Sequence, residues 1–158
     1  MNIAENPFFE IKNQGNFIKI IANNLINYNS DIDFDKNWID CEIEVCGGAF
    51  QGKYSAEIMT TTFQIFKQEL SVLYNKLNTN AKFEDLENYC SINISGDGSG
   101  KLNAEIECND KPGIYSANLS FEIDFDQTFL KTIFNQLNHI TKEFPITGDF
   151  KISNNYDL

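Results

Sequence analysis

The sequence predicts an α+β fold, an antiparallel β-sheet with two helices packed on one face, in the order βββ-α-βββ-α. Three observations lead there. Short segments alternate apolar with polar residues at period two, as a half-buried strand does. Two longer segments repeat apolar residues at spacings of three and four, as an amphipathic helix does. Tight Gly-containing turns join successive strand segments, and strands joined that way run antiparallel.

The elements follow in order. Residues 1–16 carry Pro7 and several amides and read as irregular. Phe17, Ile18, Ile20 and Ile21 make a first strand, followed by an Asn- and Asp-rich loop over residues 27–37. Residues 38–45 alternate Asp40, Glu42 and Glu44 with Cys41, Ile43 and Val45. Gly47 and Gly48 turn the chain into a third strand whose inward parity holds Phe50, Tyr54, Ala56 and Ile58. One of Thr60, Thr61 and Thr62 is expected to cap a helix whose stripe is Phe63, Phe66, Leu70, Leu73, Tyr74 and Leu77.

In the second half, residues 90–95 and 102–108 flank Gly96-Asp97-Gly98-Ser99-Gly100, a hairpin with Asp97-Gly98 as its turn signal. Asp110-Lys111-Pro112-Gly113 marks the next reversal, and residues 117–125 form the sixth predicted strand. Asp126 stands where an N-cap would, ahead of a helix bearing Phe129, Leu130, Ile133, Phe134, Leu137 and Ile140, which Pro145 stops. From Thr147 onward, Phe150 and Ile152 alternate, so the tail is expected either to add an edge strand or to hang free.

At 158 residues the chain is expected to form a single domain, residues 1–158. With 42% hydrophobic residues and 14 Phe there is ample apolar surface to offset chain entropy. The formal charge of −11 sets a field that repels phosphate backbones and anionic lipid, so neither nucleic acid nor membrane is expected as a partner. No apolar run reaches the roughly 20 residues of a bilayer span, and the N-terminus lacks a signal-peptide pattern, so a cytoplasmic location is expected.

No assembled chemistry is visible. Cys41, Cys90 and Cys108 fall on apolar parity and read as small core residues; Cys41 and Cys46 lack zinc-knuckle spacing, and a cross-strand disulfide stays open. Asp31, Asp33, Asp35, Asn37 and Glu42 echo a calcium loop, but Lys36 replaces its turn Gly, and no flanking helices are predicted, so a solvated acidic loop is the better reading. Gly96 to Lys101 lacks the Gly and Ser/Thr positions of a phosphate loop. His139 is alone, without a nucleophile in a recognisable setting. No catalytic residue, metal ligand or cofactor is therefore expected.

What remains is charge on a face. Asp40, Glu42, Glu44, Glu105, Glu107, Glu122 and Asp124 all take the outward parity of their strands, an acidic wall suited to a basic partner. These residues are the expected binding surface. Facing carboxylates could instead serve a metal-dependent or carboxylate-using enzyme, and a generic scaffold subunit is a third reading.

Asp33-Phe34-Asp35-Lys36-Asn37-Trp38-Ile39 leading into an alternating strand, then Gly47-Gly48, a strand and a helix, resembles the WapI-type immunity proteins. So do Glu87 before an alternating strand, Gly96-Asp97-Gly98-Ser99-Gly100, and Leu119-Ser120-Phe121-Glu122-Ile123-Asp124-Phe125-Asp126-Gln127-Thr128-Phe129-Leu130. The likeness covers residues 17–141. It implies a protein encoded beside a contact-delivered bacterial toxin, protecting its maker by binding the toxin's C-terminal domain without chemistry of its own. That toxin domain is expected to be basic, with nucleases among the candidates. The resemblance supplies no binding residues.

Overall fold

The computed structural model describes residues 4–149. The alternation at Phe150 and Ile152 lies outside the described residues. The fold is α+β, as expected, with two antiparallel four-stranded sheets and two helices. Sheet A holds β1 (Phe8–Asn13), β2 (Asn16–Leu25), β3 (Trp38–Gly47) and β4 (Phe50–Met59) in sequence order, and α1 (Thr60–Lys76) follows it. Sheet B repeats the plan with β5 (Asn80–Glu84), β6 (Cys90–Gly96), β7 (Lys101–Asn109) and β8 (Asn118–Asp126), followed by α2 (Leu130–Glu143). Among the described residues, no helix is long and apolar enough to cross a membrane.

Relative to the expected order the structure adds one edge strand to each half and divides the strands between two sheets. Strand β1 buries only Phe9 and Ile11, and its turn, Gln14 and Gly15, takes positive φ at both residues. Strand β5 buries only Ala81 and Phe83. Two apolar residues make too short a period to register as alternation. The β3 alternation holds as predicted, with Ile39, Cys41, Ile43 and Val45 buried.

Each helix packs on the edge strand of the other half, α1 on β5 and α2 on β1, while the helices pack on each other. The ring cluster of Phe9, Phe63, Phe66 and Phe83, all fully buried, locks β1, α1 and β5 together with centroid separations of 5.4 to 6.1 Å. One contiguous apolar core therefore runs through both sheets and both helices. Helix side chains also meet edge-strand amides: Glu10 N–H donates to Gln136 Oε1 at 3.0 Å, and Lys82 N–H to Glu69 Oε2 at 3.4 Å. Glu69 is held above the usual carboxylate range by burial.

The sheets approach closely at one point. A Cβ on Gly47 would sit 2.8 Å from Phe121 Cγ, so only glycine lets β3 pass β8 there. Several local expectations give way to packing. Met59, not a threonine, is the α1 N-cap; Thr60 instead donates its hydroxyl to the Phe144 carbonyl beyond α2. Asp126 does cap, accepting Thr128 N–H at 2.9 Å, but it caps a short 3₁₀ turn (Gln127–Phe129) that precedes α2. Phe50, Tyr74 and Phe129 lie exposed because their apparent periodicity overruns the buried stretch, and Trp38 is only half-buried, edge-on to Phe34.

Candidate partner-binding surface

The seven acids read as one wall divide between two. Asp40, Glu42 and Glu44 stand on β3 in sheet A, and Glu105, Glu107, Glu122 and Asp124 stand on β7 and β8 in sheet B. Each set faces away from the shared core. The two polar faces differ in how their charge is arranged, and pairing register decides the difference.

Across sheet A, register lines up Glu10, Lys19, Glu44 and Lys53 in one row, acid alternating with base. Lys53 Nζ lies 3.3 Å from Glu42 Oε1 and 3.7 Å from Glu44 Oε1. Lys12 meets Glu10 at 3.2 Å; Lys19 meets Glu5 at 3.6 Å and covers the Phe8 ring at 4.1 Å. Asp40 faces Glu57 across the ladder, a like-charged pair at the end of a face whose other acids are ion-paired.

Sheet B has no such row. Its central line reads Lys82, Asn93, Glu105, Glu122, which puts the last two carboxylates directly opposite each other. The adjoining lines are Glu84, Ser91, Glu107, Ser120 and Asn80, Ser95, Asn103, Asp124. Asn118 donates to Glu107 Oε1 at 3.1 Å, and Asn103 to Asp124 Oδ1 at 2.8 Å. Among the described residues, none of Glu105, Glu107, Glu122 and Asp124 forms an ion pair, and all four are exposed. Directly opposed like charges on a sheet cost roughly 0.2–1 kcal/mol. A cation laid across Glu105 and Glu122 would remove that cost.

The four cysteines are free and buried. Cys90 faces Cys108 across β6 and β7; burial pushes the Cys90 thiol up, while its hydrogen bond holds Cys108 below the usual thiol range. Burial also raises Cys41 and Tyr54, whose hydroxyl donates to Tyr89 O at 2.6 Å. The Tyr54–Tyr89 bond joins sheet A to one end of sheet B, where the β5–β6 turn lies. At that end Asp85 is buried, and its carboxylate accepts N–H groups from Glu87, Tyr89 and Cys90 at 2.9, 3.2 and 2.7 Å. Burial outweighs those bonds and raises its pKa.

The calcium-like loop has another use. Its residues wind into a 3₁₀ turn, Asp33–Asn37, in which Lys36 pairs with Asp33 at 3.4 Å. Asn37 is fully buried, donates to the carbonyls of Asp33 and Thr147 and accepts Thr147 N–H at 2.8 Å, stapling the chain after α2 to this loop. Among the described residues, no cluster of three acids, cysteines or histidines is placed to hold a metal. Gly96 to Lys101 is a hairpin turn in which Ser99 N–H donates to Asp97 Oδ1; the Ser99 hydroxyl first and its N–H second hold that carboxyl below its usual range. His139 is exposed on α2.

Sequence reasoning missed a set of exposed apolar residues at the Asp85 end of sheet B: Leu86, Ile114 and Tyr115. Their one signal was the position of Ile114 and Tyr115 straight after Pro112-Gly113, apolar residues inside a turn rather than on a strand.

Residues 8–145 match the family described as Immunity protein WapI-like family. No curated protein matches the sequence. Among solved structures, WHY3 from Arabidopsis thaliana is similar at 11% identity, covering 90% of each chain with a TM-score of 0.48. MRP1/MRP2 of Trypanosoma brucei is similar at 8% identity, covering 88% of each chain, at 0.47. Likeness at that level carries no functional weight.

Proposed function

Because the chain belongs to the WapI-like immunity protein family, we propose that it protects its maker by binding and occluding the C-terminal domain of a cognate bacterial toxin, without catalysis. The partner is a basic protein domain, met in the cytoplasm. Net charge of −11 supports a cationic partner and disfavours direct contact with nucleic acid or anionic lipid.

One observation carries the choice of surface: sheet B leaves Glu105 and Glu122 opposed at its centre with none of its four acids in an ion pair, whereas on sheet A Glu42 and Glu44 share Lys53 and the opposed pair, Asp40 and Glu57, stands at one end. Of the seven acids, Glu105, Glu107, Glu122 and Asp124 are therefore the principal contacts, and Asp40, Glu42 and Glu44 contribute long-range field. An unpaired acidic face steers a basic domain to encounter and then gains ion pairs that the free protein lacks.

Co-expression tests this. The wild-type chain restores growth of cells producing the toxin domain encoded beside its gene, and E105K/E122K loses most of that protection at equal soluble level. Failure of the wild-type chain to protect would contradict the function. Full protection by E105K/E122K would contradict the surface.

A further inference from the structure

Resting on that reading, we propose that the complex is anchored by the two loops at the Asp85 end of sheet B, β5–β6 and β7–β8. The partner patch they fit is an apolar pocket rimmed by lysine or arginine, one of whose side chains enters the cleft between the loops.

Ile114 and Tyr115 are 89% and 84% exposed, and Leu86 on the facing loop is 64% exposed. Single exposed apolar side chains are ordinary, but large ones gathered on two neighbouring loops are a feature of binding surfaces. Between the loops lies a cleft of about 810 Å³, whose walls include Glu84, Asp85, Glu107, Asn109 and Lys111. Three carboxyl groups against one lysine favour a cationic side chain there.

The loops are built to hold this shape. Asp85 gathers three backbone N–H groups of β5–β6, and Asp110 Oδ1 takes Ala117 N–H at 2.8 Å across the base of β7–β8. Asn109 Nδ2 donates to Asn88 O at 2.9 Å and ties one loop to the other. Loops tied at their bases lose less conformational entropy on binding than free ones, which is what an anchor needs.

Continuity with the acidic face selects the occupant. Glu84 and Glu107 wall the cleft and also belong to one cross-strand row of sheet B, so apolar tips and unpaired acids form one surface, an anchor with a charged rim. A second copy would bring like charge to like. The residue 26–37 loop also exposes Tyr28 and Ile32, but there Phe34 packs on Trp38, Lys36 pairs with Asp33, and the adjoining sheet A face offers one opposed acid pair, Asp40 and Glu57, before its ion-paired rows begin.

The test is binding kinetics of the full chain against the C-terminal toxin domain encoded beside its gene. Ile114→Ser/Tyr115→Ser should raise koff at least about 30-fold and leave kon within about threefold, because anchors act after encounter. Leu86→Ser should shift koff the same way by a smaller factor. Glu84→Gln/Glu107→Gln should slow kon, more at low salt than at high. These side chains are exposed, so melting temperatures should match wild type. A koff for Ile114→Ser/Tyr115→Ser within about threefold of wild type would overturn the loop surface while leaving the immunity reading intact. Absence of binding by the wild-type chain would overturn both. Sedimentation showing a wild-type dimer that the loop variant dissolves, with toxin koff unchanged, would assign the loops to a second copy instead.

Discussion

Replacing Phe83 with Ala probes the joint between the two halves. Phe83 is fully buried on β5, and its ring lies 5.5 Å from Phe9 of β1, 5.4 Å from Phe63 and 5.6 Å from Phe66 of α1. Removing a buried Phe costs roughly 3–5 kcal/mol in transfer and cavity terms. Losing three ring pairs, each worth about 0.5–1.5 kcal/mol beyond area, puts Phe83→Ala near the top of that range, at about 5 kcal/mol. For a chain of this size the melting temperature should fall by about 10–20 °C. Phe50→Ala, at a ring 69% exposed, is the control and should change stability by less than about 0.5 kcal/mol. Urea unfolding followed by far-UV circular dichroism and by the fluorescence of Trp38, the single tryptophan, reads the result. Trp38 reports sheet A although the substitution is in sheet B, so one contiguous core predicts coincident transitions. A loss under about 2 kcal/mol, well below the buried-Phe range, or separated transitions, would refute the joint.

The remaining predictions concern single contacts. Gly47→Ala places a Cβ against the Phe121 ring and should cost about 1–3 kcal/mol by overpacking; a neutral result would mean the sheets are free to part there. Asp85→Asn swaps one acceptor oxygen for an amide facing a backbone donor, and should cost about 1–3 kcal/mol near neutral pH by chemical denaturation. Because the folded pKa of Asp85 is raised, its contribution is fully present below the unfolded pKa and is lost as pH rises through the folded value. The advantage of wild type over Asp85→Asn should therefore shrink between about pH 4 and neutrality; a widening gap would reverse the sign of the shift. Calcium titration should give no heat and no change in melting temperature, since the acidic loop is a 3₁₀ turn with Lys36 on Asp33.

Much of the fold is legible in the sequence where alternation is long. Strands β3, β7 and β8 show four or more alternating positions, and the helices show full apolar stripes, so their facing follows from parity alone. Strands β1 and β5 are not legible, because each offers two inward residues and gains its hold from a helix of the other half. The sign of each residue on the polar faces is likewise readable, but which charges neighbour one another is set by strand register and sheet membership. Nothing local in Glu44 or Glu105 says that one will meet Lys53 and the other Glu122. Leu86 and Ile114 matter only because two distant turns converge, a relation that periodicity does not encode.

The association rate with the neighbouring toxin domain, measured for wild type and E105K/E122K from low to high ionic strength, bears most directly on the proposed mechanism. Wild type should associate fast at low salt and slow steeply as salt screens the field, as electrostatically steered pairs do. E105K/E122K should associate slower by about tenfold or more at low salt, converge on the wild-type association rate at high salt, and dissociate faster, because the ion pairs made in the complex are lost. A wild-type rate that ignores salt and equals that of E105K/E122K throughout would contradict capture through the unpaired acidic face.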